Sequence, residues 1–203
     1  MVETSAPDAS ASATRSRSRL KLYLVIAVCA APVLASYYAY YFVRPEARSN
    51  YGELIDPQRP IPALRLTTLD GRPFDAATLR GRWVMLMAAG GDCPAACADR
   101  LYHMRQVRLT TGKDRDRVER VWLVTDAAPV STQTIREYDG TQILRVDPRD
   151  AASWLTVNAA DRYADHLYMV DPLGNLMMRF PTDADPNKTK RDLAKLLRAS
   201  RIG

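Results

Sequence analysis

From Leu22 to Val43 the chain carries no charged residue. As a helix those 22 residues would span roughly 33 Å, against about 30 Å for the hydrocarbon core of a bilayer. Lipid offers no partner to a backbone N–H or C=O, so an isolated segment of this kind crosses a membrane only as a helix. Tyr37, Tyr38, Tyr40, Tyr41 and Phe42 gather at its far end, where amphipathic rings favour the interface. Pro32 falls mid-span, a position that membrane helices tolerate. Arg15, Arg17, Arg19 and Lys21 precede the span, and the weaker set Arg44, Glu46 and Arg48 follows it. The positive-inside rule therefore predicts a cytoplasmic tail over 1–21, an anchor over 22–43 and everything later outside the cytoplasm. The expected location is the inner (cytoplasmic) membrane, single-pass, with the C-terminal domain in the periplasm. A cleavable signal ending at Val33-Leu34-Ala35 is the rival reading, but the apolar run continues past that point. Cys29 follows Val28 rather than the small residue of a lipoprotein signal, so it reads as apolar filler.

The net charge of +6 points to no polyanionic partner. Beyond the anchor the excess is dispersed in mixed-sign runs such as Lys113 to Arg117, the pattern of a solvated face. That face also lies on the wrong side of the membrane for nucleic acid, which is excluded as a partner. Two His exclude a multi-histidine metal site. Three Cys are too few for a disulfide-stapled scaffold. There is no glycine-rich phosphate loop and no Gly-x-Ser-x-Gly elbow.

Residues 44–60, polar and punctuated by Pro45, Pro57 and Pro60, read as a linker to a domain over 61–203. Within that domain Ala63 to Leu69 alternates in polarity and ends at the turn Asp70-Gly71. Arg82 to Ala89 and Val118 to Thr125 are apolar runs of strand length, as in buried central strands. Between them Cys97 to Thr111 reads as a helix, with Gly112 as its stop. A short helix (132–138), a strand (143–146) and another short helix (150–155) follow. His166 to Val170 and Leu176 to Phe180 flank the turn Asp171 to Asn175 as a hairpin. Asp185 as N-cap and Pro186 at the first helical position open a final helix whose apolar stripe is Leu193, Leu196 and Leu197. The order predicts an α/β fold, a mixed sheet with helices on both faces.

Cys93-Pro94-Ala95-Ala96-Cys97 falls where the strongest strand hands over to its helix. Exposed N–H groups at a helix N-terminus favour a thiolate at Cys93, and Cys97 follows one turn later on the same face. Two sulfurs so placed either form a disulfide or hold one soft ion such as Cu(I) or Zn. An exported compartment permits both.

The stretch from Asp70-Gly71 through Leu79, Gly81, Trp83 to Ala89 and Cys93 to Cys97 resembles membrane-anchored thioredoxin-fold proteins, and in particular the Sco/SenC family of copper chaperones for cytochrome c oxidase. CPAAC is similar to that family's Cys-Pro-x-x-Cys-Pro. Val121 to Asp126 (VWLVTD) is similar to its strand ending in Val-Asp-Pro. Asp165-His166, with Tyr168-Met169-Val170-Asp171-Pro172-Leu173-Gly174, is similar to its Asp-His-Ser and Tyr-Leu-x-Asp-Pro-x-Gly. The resemblance implies a thioredoxin-like domain and copper ligation by Cys93, Cys97 and His166. It further implies a role in assembling the copper site of the oxidase, with oxidase subunits or assembly factors as partners. The chain departs from the pattern in three places. Ala98 stands where Pro is usual, Ala127-Ala128-Pro129 follows Asp126, and His166 lies about three residues closer to the Asp-Pro turn. Side chains alternate along a strand, so an odd shift turns His166 to the other face; if His166 lies just before the strand, a loop can still aim it at the sulfurs.

His103 on the helix reads as structural, and Met85 and Met87 as core packing. Asp126 reads equally as a turn residue or as support for the site. The upstream sequence Ala88 to Asp92 lacks the Pro and Thr of a peroxidatic cysteine. Three readings stand: copper-site assembly, general extracytoplasmic thiol–disulfide exchange with Cys93 attacking and Cys97 resolving, and a non-catalytic scaffold. Enzymatic activity is left open among them.

Overall fold

The structure is a computed structural model that describes residues 10–41, 50–200 and 202, with side chains from Lys21 onward. The expected tail residues 1–9, the last two span residues 42–43 and the linker residues 44–49 lie outside the described residues. The chain divides into two compact units, Met1–Arg48 and Ser49–Gly203.

The first unit contains one helix, α1 (Ser10–Tyr41), with Pro32 inside it. Its segment Lys21–Tyr41 is long and apolar enough to cross a membrane, and none of it is buried. The helix begins well inside the expected tail, where residues 10–20 hold no Gly or Pro to interrupt it.

The second unit is built on eight strands: β1 (Glu53–Pro60), β2 (Leu66–Thr68), β3 (Pro73–Phe74), β4 (Trp83–Ala89), β5 (Val118–Val124), β6 (Gln142–Arg145), β7 (Tyr168–Val170) and β8 (Asn175–Arg179). Four helices accompany them: α2 (Ala95–Leu109), α3 (Thr132–Glu137), α4 (Pro148–Leu155) and α5 (Pro186–Ala199). The strands form one sheet in the order β1-β8-β7-β4-β5-β6-β2-β3. Strands β4, β5 and β6 are parallel, in register from Trp83↔Val118 to Ala89↔Val124. The remaining pairings are antiparallel. This is the mixed sheet expected.

Alternation along β4 divides the core. Trp83, Met85 and Met87 face α2 and α5, where Leu101, Met104, Val107, Leu193 and Leu197 cover them. Val84, Leu86 and Ala88 face the opposite way, onto Ala151, Trp154 and Leu155 of α4. Each large apolar side chain so enclosed contributes roughly 1.5–3 kcal/mol. Met85 and Met87 are therefore core residues, as their spacing suggests.

Residues 53–60, which the sequence suggests are linker, form β1 against β8. Two prolines argue against a central strand, but an edge strand leaves one side of its backbone unpaired and accommodates them. Ile55 supplies the one buried side chain of the strand. Just before it, the backbone amides of Tyr51 and Gly52 donate to the buried carboxylate of Asp192 at 2.7 and 2.9 Å. These bonds fix the start of the domain onto α5.

Candidate functional site: a disulfide at a strand-to-helix junction

The parallel pair β4–β5 delivers two loops to the same end of the sheet, Gly90–Pro94 and Asp126–Val130. Asp126 holds them together. Its Oδ1 accepts from the amides of Gly91 (2.8 Å) and Ala128 (3.1 Å). Arg145 clamps the second loop by donating to the carbonyls of Asp126 (2.7 Å) and Ala128 (3.1 Å). The approach is so close that a Cβ on Gly91 would collide with the Ala128 carbonyl, and one on Gly90 with the Asp126 carboxylate. Asp126 is thus a turn residue whose backbone bonds shape the cysteine loop.

Cys93 closes that loop in the left-handed region, at φ 42°, a conformation that costs a non-glycine residue roughly 1–2 kcal/mol. Pro94 caps α2 without a side-chain bond, and its carbonyl accepts from Cys97 N–H (2.7 Å) and Ala98 N–H (3.1 Å). The reversal brings the cysteine Cα atoms to 5.1 Å, and a disulfide joins them. Cys97 is fully buried, 0% exposed, within the α2-side core, whereas Cys93 is only partly buried. Attack from outside therefore meets Cys93 first. Tyr138 braces the first turn of α2 by donating to the Ala98 carbonyl at 3.2 Å.

His166 lies elsewhere. It precedes β7, and its Nδ1 is 2.8 Å from the carbonyl oxygen of Phe180. Leu86 pairs with Tyr168, so period-2 alternation puts His166 on the Tyr168 face. The two rings meet edge to face at 6.2 Å. Tyr168 packs with the α4-side core and Cys97 with the α2-side core. The structure thus brings Cys93 and Cys97 together and turns His166 away from them. Among the described residues no group of three or more His, Cys, Asp or Glu could hold a metal ion. His166 instead neighbours an ion-pair network. The buried Arg179 binds Glu53 and Asp161, each at 2.6 Å. The bond from Arg179, with a second from Asn158, holds the Asp161 carboxyl below its ordinary range. Burial pushes the Tyr168 hydroxyl well above its usual value.

His103 is on α2, 8% exposed, and burial lowers its pKa while Asp185 opposes the shift. Asp126 was singled out in the sequence, but its partner Arg145 and the two close-packed glycines were not. The Gly90-Gly91 pair ahead of the cysteines was the signal that could have revealed the close approach of the two loops.

Residues 83–200 match the family model for transmembrane-like, thioredoxin-like C-terminal domains. Over 86 residues the chain is 30% identical to a candidate copper-binding protein of Stutzerimonas stutzeri. That match covers 42% of this chain and 42% of the relative, so the chain spans less than half the length of that relative. Yeast Sco1 with copper bound superposes with a TM-score of 0.55 at 18% identity, over 72% of this chain and 96% of that one. A thiol:disulfide interchange protein from Bacteroides sp. superposes with a TM-score of 0.52 at 14% identity, over 71% and 91%. At such identities the two structures establish the shared fold alone. From Trp83 to Ser200 this chain belongs to the family of transmembrane-like, thioredoxin-like C-terminal domains, with a Sco-like thioredoxin fold.

Proposed function

We propose that this protein is a membrane-anchored Sco-like factor that assists assembly of the copper site of cytochrome c oxidase through Cys93 and Cys97. The observation that carries the reading is the cysteine pair itself, joined at a strand-to-helix junction with Cys93 accessible and Cys97 buried. Reduced, the pair offers two thiolates about one helical turn apart, a donor set that suits Cu(I) as cargo. Oxidised, it is a disulfide able to exchange with a partner's thiols. The copper binding ascribed to the Stutzerimonas relative and the copper held by yeast Sco1 support the first use. In this reading the apolar segment Lys21–Tyr41 is the anchor, and the cations ahead of it support a periplasmic domain. A reporter fused after residue 60 is then active outside the cytoplasm. Activity of that reporter only in the cytoplasm overturns the placement.

A second reading, general thiol–disulfide exchange, is favoured by one observation. His166, the third ligand implied by the resemblance, is bonded to Phe180 on the other face of the sheet. Copper stoichiometry of the reduced full-length chain in detergent separates the two. About one Cu(I) per chain, lost in Cys93→Ser and Cys97→Ser, supports copper handling. No copper, with reversible cycling between dithiol and disulfide, supports exchange alone.

A further inference from the structure

Beside the cysteine loop runs a cleft of about 260 Å³ between α2 and the connection from β8 to α5. Ala96, next to Cys97, lines it at one end, and Asp99, Arg100 and His103 continue along the helix, with Leu167 and Asp183 opposite. Two polar atoms of this lining are buried without a hydrogen-bond partner: Nε of Arg100 and Nε2 of His103. The imidazole is more than nine-tenths buried. An orphaned buried polar atom is costly unless something supplies the missing bond. Arg100 Nε–H can only donate, whereas a neutral His103 presents one N–H and one lone pair. Nε2 of His103 is one or the other according to the tautomer, and a peptide unit, which offers a C=O acceptor and an N–H donor, complements the pair in either case. The rim adds a charge preference. Asp99 and Asp183 are exposed there, and Asp165 and Asp185 exert their fields on Arg100 and His103. Asp165 is itself paired with Arg162 at 3.9 Å, so the carboxylates left to a ligand in the lining are Asp99 and Asp183, two against the one guanidinium of Arg100.

We propose that this cleft docks the extended, basic segment of a partner polypeptide that carries its reactive cysteines to Cys93. The inference rests on the thiol reading of the Cys93–Cys97 pair and names the kind of partner it takes. Arg100 and His103 lie three and six residues beyond Cys97, or about 4.5 and 9 Å along the helix. An extended partner advances about 3.3 Å per residue, so the stretch of cleft lined by Asp99, Arg100 and His103 covers about one to three residues beside its first cysteine. In the step served, a partner thiolate attacks Sγ of Cys93. The Cys93–Cys97 bond breaks and its electron pair leaves on Sγ of Cys97. The second partner thiol then cleaves the mixed disulfide, so the partner dithiol is oxidised and the protein disulfide reduced.

The test uses the oxidised full-length chain in detergent and two dithiol peptides, with Lys or Asp two residues from the first cysteine. Each rate is divided by that peptide's rate with a small aromatic disulfide, which removes the effect of the charge on the thiol itself. The Lys peptide is expected to react about tenfold faster at low salt, a preference that shrinks as ionic strength rises. The preference is expected to collapse toward unity in Asp99→Asn/Asp183→Asn. Equal normalised rates for the two peptides, or a preference that survives the double substitution, overturn the docking proposal. If dithiothreitol itself leaves the bridge intact, the thiol-exchange reading fails first and takes the proposal with it.

Discussion

His166 Nδ1 sits 2.8 Å from the carbonyl oxygen of Phe180, while the Phe180 amide donates back to the Leu167 carbonyl at 2.8 Å. A carbonyl only accepts, so in the neutral ring the proton belongs on Nδ1 and the lone pair on Nε2. That tautomer leaves Nε2 free to bind a metal, but the ring stands on the Tyr168 side of the sheet. To join the sulfurs it must leave Phe180 and turn around its strand. If Cu(I) is held by the two thiolates alone, His166→Ala lowers affinity by less than about threefold, or roughly 0.7 kcal/mol. Competition against a chromogenic Cu(I) chelator measures this. A loss of about a hundredfold shows that His166 crosses to the copper.

The two thiols differ in access more than in chemistry. After reduction Cys97 remains enclosed by the α2-side core, whereas Cys93 sits at the rim, just ahead of the helix N-terminus. That end of the dipole favours a thiolate. Mass-mapped alkylation of the reduced chain is therefore expected to label Cys93 at least about tenfold faster than Cys97 near pH 7. Equal labelling contradicts the burial of Cys97 and the order of attack built on it.

The central strands, α2 and α5 were legible because their signals are local: unbroken apolar runs, a Gly stop, an Asp-Pro cap. Helix α2 starts at Ala95 rather than Cys97, and β7 at Tyr168 rather than His166. Both shifts are of the size by which element ends ordinarily vary. Strand β1 was not legible, since Asp56-Pro57-Gln58-Arg59-Pro60 has no strand propensity. Its pairing comes from β8, more than a hundred residues away. The cysteine pair was legible from spacing and position. The face occupied by His166 was in doubt for the same reason that decides it here, the alternation of side chains about a strand whose start could not be fixed. The cleft by Arg100 and His103 left no trace, because its far wall at 181–184 is brought there by the hairpin.

The loop that carries Cys93 depends on the absence of a side chain at Gly91. A Cβ there meets the backbone of Ala128, and a carbonyl oxygen anchored by Arg145 yields less readily than a flexible side chain. Gly91→Ala is expected to destabilise the fold by about 1–3 kcal/mol, the usual cost of overpacking, and to displace the cysteine loop. Urea unfolding measures the first effect, and the dithiothreitol reduction rate of the bridge the second. An unchanged midpoint and an unchanged reduction rate together refute the tight junction of the two loops.

His103 gives the domain a calculable acid sensitivity. Burial holds its pKa below the ordinary value, and Asp185 only partly opposes that; Arg100, Asp99 and Asp183 share the same cleft. The unfolded chain takes up this proton near pH 6.5, whereas the folded chain takes it up at lower pH. The stabilisation is therefore complete above about pH 6.5, declines as the pH falls below it, and levels off beneath the folded pKa. In the declining window the slope reaches at most about 1.4 kcal/mol per pH unit for one proton. His103→Phe removes the group while preserving an enclosed ring, so its stability between pH 7 and 5 is expected to fall less steeply than that of the parent chain. Carboxylate titrations common to both chains cancel in the difference. Parallel urea-midpoint profiles across that range would show that the imidazole protonates as readily in the folded chain as in the unfolded one, and the cleft would then be open to water at His103.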